Sequence, residues 1–296
     1  MIGPAGIGQA HTRELIKYGV KNIGLLGKKF KKNRIADFKF KISNDVSIYN
    51  FRNHNELKKF NPKIICICSP TTKHLEHILK FKNYSDKIIV EKPLFWIKNK
   101  KIKNFNIAKK ILNNSNYKVL INLPMINLAE QLIKKKEIKK IDYIKFNYFT
   151  RGNNAFEEIA IDLLPHALSF VLSLKKRFRS VKILMTKKKK NYFENKILID
   201  HCLCHFVFKQ NRFWKKSKLS FKINNNSYVR KQISSKGEYY NKLVKNKKKI
   251  INIKNPMSEY LFFLFKNCYN KPRIKHNNNI TLDTIGITED IINFKN

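Results

Sequence analysis

Acidic residues are scarce in this chain. Asp and Glu number 20 against 63 Lys and Arg in 296 residues, a formal net charge of +43. Such a field attracts nucleic acid, anionic membranes or phosphorylated ligands. The lysines, however, are scattered over the whole length, with runs at 187–190 and 246–250, and are not gathered into one arm. Heavy use of Lys, Asn and Ile beside scarce Gly and Ala is the pattern of AT-rich coding. With no zinc finger or RNA-recognition motif in view, no nucleic-acid partner is expected. Cysteine is also sparse: the five residues are an odd number, and none forms a C-x-x-C pair. That excludes a disulfide framework and points to a reducing, cytoplasmic compartment. No apolar run reaches the roughly 18 residues that a membrane span needs, so no membrane partner is expected. The N-terminus lacks a basic stretch leading into an apolar one, so it does not read as a secretory signal.

What remains is 43% hydrophobic, enough for a real core in one large domain or two smaller ones. Over the first 120 residues, short Ile- and Val-rich segments (22–27, 46–50, 63–69, 87–92, 117–123) alternate with helical stretches (9–18, 54–60, 72–82, 98–113). Nearly continuous apolar strands are those of a parallel sheet covered on both faces, which predicts a doubly wound α/β domain over 1–122. Beyond residue 123 the rhythm changes. Helices are expected at 126–136, 162–174, 256–268 and 281–293, and strands at 141–150, 181–187, 197–209, 213–223 and 227–234. Several of these strands alternate polar with apolar, so 123–296 reads as an α+β domain with a mostly antiparallel sheet.

The opening GPAGIGQAH places Gly3, Ala5 and Gly8 at the positions of a G-x-G-x-x-G phosphate loop, with Gly6 and Ile7 between them. The first glycine suits a tight turn, and the third lets the helix pack close to the strand. Backbone N–H groups at the helix start then face a diphosphate. Ala5 puts a methyl where the diphosphate should pass, and Gly6 is placed to compensate. The strand that should precede this loop is missing except for Met1 and Ile2. A start codon set too late and a decaying gene both account for that. Two further loops should lie at the carboxyl edge of the same sheet, where ligands bind in such folds: Ser69-Pro70-Thr71 and Glu91-Lys92-Pro93.

Together, the phosphate loop followed by His11, the segment CSPTTKHLEH (68–77) and the E-K-P motif at 91–93 resemble the glucose–fructose oxidoreductase/inositol dehydrogenase (Gfo/Idh/MocA) family. The resemblance covers most of the chain and is best over 1–175. It implies a Rossmann domain for NAD(P), here with a truncated first strand, and a C-terminal domain for a sugar-like small molecule. Lys92 then lies between the nicotinamide ribose and the substrate hydroxyl, where it eases negative charge on oxygen. Ser69, Pro70, Thr71, His74 and Glu91 line the cofactor, and His11 is structural or adjacent to it. In EEIAIDLLPHALSF (157–170), Asp162 and His166 stand four apart, hence on one helical face. The resemblance makes His166 the general acid/base and Asp162 its partner in placing the hydroxyl. Spacing alone leaves a second reading open, with Asp162 an N-cap and Pro165 in the first turn.

No carboxylate ends the second strand, where NAD-type sites bind the ribose. Lys28 and Lys29 stand there instead, which favours NADP over NAD. HCLCH (201–205) is not expected to bind metal, because alternation along a strand sends its Cys and His pairs to opposite faces. The reading is a sugar, cyclitol or nucleotide-sugar dehydrogenase. A non-catalytic relative is the alternative, and assembly into dimers or tetramers is carried over from the family.

Overall fold

The computed structural model describes residues 1–27, 45–99, 101–115, 118–138, 140–175, 178–235, 238–266 and 270–295. The chain divides into two compact units: Met1–Asn122 with Tyr260–Asn278, and Leu123–Glu259 with Asn279–Asn296. No helix among the described residues is long and apolar enough to cross a membrane.

In the first unit the strands β1 (Asn22–Leu26), β2 (Ser47–Phe51), β3 (Ile64–Ile67), β4 (Lys87–Glu91) and β5 (Val119–Asn122) alternate with helices α1 (Ile7–Lys17), α2 (His54–Phe60), α3 (His74–Phe81) and α4 (Asn104–Asn114). β1 pairs with β2, and β3 with β4 and β5, all in parallel. β4 and β5 are buried at every position, as a sheet covered on both faces requires. The two groups of strands are joined by the residues whose shortness stood out in the sequence. Ile2 bridges Leu26 on one side and Ile67 on the other. The backbone bonds Ile2 N to Cys66 O and Cys68 N to Ile2 O tie it to β3, while Gly3 N to Leu26 O and Leu26 N to Met1 O tie it to β1. Met1–Gly3 thus occupies the central position, and the order is the doubly wound one: β2, β1, Met1–Gly3, β3, β4, β5.

The segment Tyr260–Asn278, assigned by sequence to the second domain, belongs to this first unit. Two contacts account for it. Asn277 gives and takes hydrogen bonds with the backbone of Ile121, at 3.0 and 3.4 Å, at the edge of β5, and Tyr18 packs on Phe262 with ring centroids 4.7 Å apart. An unpaired strand edge is thereby covered by a side-chain amide. The expected helix at 98–113 starts only at Asn104, because the Asn104 side chain turns back to hold both backbone groups of Ile97.

The second unit is built on an eight-stranded sheet: β6 (Tyr143–Thr150), β7 (Val181–Lys189), β8 (Tyr192–Ile199), β9 (Cys202–Gln210), β10 (Lys218–Ile223), β11 (Asn226–Ser235), β12 (Glu238–Lys245) and β13 (Lys249–Ile253). The order is β13-β12-β11-β10-β6-β9-β8-β7, antiparallel except for the central β6–β9 pair. Phe146, Phe206, Phe208 and Phe221 line one face, and helix α6 (Phe156–Lys175) packs on it through Phe170, 5.9 Å from Phe146 and 5.0 Å from Phe221 between ring centroids. Helix α5 (Pro124–Lys134) packs beside α6.

Four sequence expectations shift here. The single strand at 197–209 is two strands, β8 and β9, with a reversal at Asp200 and His201. Asp200 is left-handed (φ 50°), and its carboxylate accepts from the N–H groups of Arg179 and Ser180. The strand at 213–223 narrows to β10, since Asn211 folds 211–214 into a turn by accepting from Phe213 N. β12 and β13 form a hairpin the lysine-rich sequence disguised. The last helix, α8 (Lys271–Asn293), begins ten residues before the expected 281, capped by Asn270, whose side chain accepts from Arg273 N.

Candidate active site

The phosphate loop is built by two close approaches. Gly3 is left-handed (φ 72°), and a Cβ there would come within 2.6 Å of the Ser69 backbone. A Cβ on Gly8 would lie 2.3 Å from the Gly3 carbonyl oxygen. These two glycines let the chain turn and let α1 lie against the sheet. Gly6 differs: it is the N-cap of α1, left-handed at φ 55°, and nothing stands within 4 Å of a Cβ on it. No side chain caps the helix, and Ala5, Gly6 and Ile7 are exposed. An exposed helix start without a side-chain cap fits a diphosphate.

Beneath this loop lies a buried polar cluster. His11 Nε2 donates to Glu91 Oε1 at 2.5 Å, and Asn122 Nδ2 donates to the same oxygen at 2.6 Å. The Cys68 thiol is 3.5 Å from His11 Nδ1. Burial by itself would push the Glu91 carboxyl up, but the His11 ring, with help from Lys92 and Asn122, outweighs it and holds the pKa down at about 2. Burial likewise opposes charge on His11, yet Cys68 and Glu91 overcome it and keep the ring well above its ordinary value. The pair is a buried imidazolium–carboxylate bridge. Glu91, expected beside the cofactor, has its Oε1 engaged by His11 and Asn122. Asn122 Oδ1 is buried and has no partner among the described residues, an acceptor left at the carboxyl end of β5.

The Ser69 and Pro93 loops are joined by one ring. His74 is buried, with Nε2 2.7 Å from Ser69 O and Nδ1 3.0 Å from Pro93 O. Ser69 Oγ is 2.9 Å from His77 Nδ1. Pro70 is the N-cap of a single 3-10 turn, Thr71–Lys73, that leads into α3. The Lys92-Pro93 peptide is cis, and Lys92 is half-buried just past the end of β4. Lys28 and Lys29 lie outside the described residues.

In the second unit, α6 opens at Phe156, so Asp162 lies in its second turn and Pro165 in its interior. The capping alternative for Asp162 therefore fails. Every residue of α6 from Ile159 to Leu174 is buried except Asp162 and His166, which are half-exposed. Between its two ends the helix thus shows one carboxylate and one imidazole on an otherwise buried stretch. His166 meets Tyr148 of β6 edge-on, ring centroids 5.3 Å apart, and the Arg230 guanidinium of β11 lies 5.9 Å from the Tyr148 ring. Sequence reasoning missed Tyr148, Arg230, His77 and Asn122. Alternation from Ile144 through Phe146 to Tyr148 carried a signal for the first, but it did not reveal that α6 covers that face.

Cys202 and Cys204 are fully buried, and no group of three metal-ligating side chains occurs among the described residues. An acid–base pair on an otherwise sealed helix face can accept and return one proton. An open helix start with a tightly held loop beside it can seat a dinucleotide.

Residues 1–103 match the GFO_IDH_MocA family model, described as an oxidoreductase family with an NAD-binding Rossmann fold. No curated protein matches the sequence. Among solved structures, a dehydrogenase (MviM) from Clostridium difficile is similar at 16% identity, covering 99% of this chain and 97% of its own, with a TM-score of 0.67. KijD10 from Actinomadura kijaniata, a 3-ketoreductase in complex with NADP and TDP-benzene, is similar at 8% identity over 98% and 95%, TM-score 0.70. UDP-N-acetylglucosamine 3-dehydrogenase GnnA from Acidithiobacillus ferrooxidans is similar at 8% identity over 98% and 94%, TM-score 0.66. At these identities the likeness establishes the fold across both units. The match to an oxidoreductase family with an NAD-binding Rossmann fold is thus carried by the first 103 residues, and beyond them the likeness is one of fold.

Proposed function

We propose that the protein transfers a hydride between a nicotinamide cofactor and a secondary alcohol of a sugar, a cyclitol or a nucleotide-linked sugar. The observation that carries this reading is the exposure pattern of α6, in which Asp162 and His166 are the two residues between Ile159 and Leu174 that are not buried. His166 takes the hydroxyl proton on oxidation and returns it on reduction. An imidazole is suited to that exchange near neutral pH. Asp162, one helical turn away, orients the hydroxyl or the ring. Lys92, just past the end of β4, supplies a positive charge of the kind that eases negative charge on a substrate oxygen.

Gly6, Ile7 and Gly8, with Ser69, Pro70 and Thr71, would hold the cofactor, which supplies hydride donor or acceptor chemistry when bound. The two glycine close approaches keep the loop shape, and His74 keeps the Ser69 and Pro93 loops in register. Nucleotide-linked sugars are favoured within the substrate class because one structural neighbour is a UDP-N-acetylglucosamine 3-dehydrogenase and another, a 3-ketoreductase, is in complex with TDP-benzene, a nucleotide-linked group. NADP is favoured over NAD on the two lysines, 28 and 29, that follow the first strand of the sequence pattern.

The test is binding and turnover with purified protein. NADPH should bind more tightly than NADH by fluorescence titration. His166→Ala should retain cofactor binding while kcat falls roughly 10²- to 10⁴-fold, the range of lost general acid–base catalysis. Lys92→Ala should lower kcat/KM as well. Normal turnover by both variants would remove the assignment.

A further inference from the structure

A cavity of about 340 Å³ opens at one end of the eight-stranded sheet, within the second unit and lined by none of the residues assigned above. Three chain reversals form it: the segment after β6 (Asn153), the β7–β8 turn (Lys190, Asn191) and the end of β9 with its following turn (Gln210 to Phe213). The reversals are tied together by backbone. Asn191 N donates to Asn154 O, Gln210 N to Asn191 O, and Asn211 N to Thr150 O. The buried Gln210 side chain accepts from Asn154 N at 3.0 Å, and a Cβ on Gly152 would strike it at 2.5 Å. The walls are therefore set before any ligand arrives, which lowers the cost of binding.

The lining has a consistent chemistry. Four side-chain amides (Asn153, Asn191, Gln210, Asn211) stand with two cations (Lys190, Arg212), and no carboxylate is among the lining residues. Asn191 Oδ1 is buried without a hydrogen-bond partner among the described residues, an acceptor that calls for an O–H or N–H donor. Phe213 is 76% exposed, the most exposed large apolar side chain described, and the Arg212 guanidinium lies 4.6 Å from its ring centroid. Amides suit hydroxyl groups, the ring offers a flat apolar face, and the two cations require negative charge.

We propose that this cavity is a binding site for an anionic carbohydrate, a sugar acid or a sugar phosphate. The Asn191 side chain accepts from a hydroxyl, and Arg212 pairs with the anionic group. The site needs no nicotinamide and stands or falls apart from the hydride-transfer reading.

Calorimetric titration of the full chain, without nicotinamide, tests it using glucuronate, glucose 6-phosphate, glucose and inorganic phosphate at about 0.15 M salt, where long-range attraction by the net charge is screened. Saturable binding of glucuronate or glucose 6-phosphate is expected, with glucose and inorganic phosphate each at least about ten-fold weaker. Arg212→Ala should weaken that binding by about ten-fold or more, the worth of one charge-assisted hydrogen bond. Asn191→Gly should weaken it about three-fold or more while leaving the fold intact, because glycine accepts the left-handed φ of 59° that Asn191 has in the turn. Lys182→Ala, an exposed charge on β7 outside the cavity lining, should change nothing. Unchanged binding in Arg212→Ala and Asn191→Gly, equal affinity for inorganic phosphate, or no binding of either anionic sugar would overturn the proposal.

Discussion

His11 and Glu91 form a pair whose two halves titrate in opposite senses. The Glu91 carboxyl falls from 4.5 to about 2, so its contribution is present above pH 4.5 and is lost as pH falls toward 2. The His11 ring is raised above 6.5, so its contribution is present below 6.5 and is lost as pH climbs through the raised value. The pair therefore stabilises most between about pH 4.5 and 6.5. Urea unfolding of the wild type against a His11→Gln/Glu91→Gln double variant checks this. The wild-type advantage should shrink below pH 4.5, and a pH-independent difference would contradict it. The ring of His11 was legible as a residue near the phosphate loop. Its bond to Glu91, 80 positions away, was not, since nothing in the local sequence of either residue names the other.

At the scale of elements, the turn from Met1–Gly3 into α1 separates two roles that glycine plays. Gly8→Ala meets the Gly3 carbonyl oxygen at 2.3 Å, a backbone atom that cannot step aside. Gly6→Ala meets open space and carries only the cost of a left-handed φ. Gly8→Ala should therefore destabilise by about 1–3 kcal/mol or more, as overpacked sites do. Gly6→Ala should cost roughly 1 kcal/mol, since that is the price of a Cβ in the left-handed region. Chemical denaturation of both variants gives the ranking, and a larger loss for Gly6→Ala would show that the close approach to Gly3 is not what shapes the loop. The same scale shows what α6 hid. Its apolar sequence and the D-x-x-x-H spacing were readable, but the early start at Phe156, and with it the placing of Asp162 in the second turn, was not.

Over the whole molecule, positive charge outnumbers negative charge about three to one. Glu137 alone receives both Lys245 (2.9 Å) and Lys249 (2.7 Å), and Asp200 and Glu194 are also in contact with lysines. With 63 basic and 20 acidic side chains, repulsion dominates the long-range field. Raising salt from about 0.01 M to about 0.15 M shortens the Debye length from roughly 30 to 8 Å, so the unfolding midpoint in urea should rise. A midpoint that falls with salt would mean that the ion pairs outweigh the repulsion.

Local pattern determined much of this protein by itself. Apolar Ile- and Val-rich runs, a glycine turn before a helix, and the E-K-P and D-x-x-x-H motifs depend only on neighbours within a few positions, so a doubly wound domain followed by an antiparallel sheet could be read directly. Tertiary structure alone decided how three residues, Met1–Gly3, complete a central strand, because their ladder partners lie at Leu26 and at Cys66 to Cys68. It alone drew Tyr260–Asn278 into the first unit through Asn277 on the edge of β5, and brought Tyr148 beside His166 and Arg230 beside Tyr148. The physical reason is the same in each case: hydrogen bonds and ring contacts between residues tens to hundreds of positions apart leave no periodicity for the sequence to display.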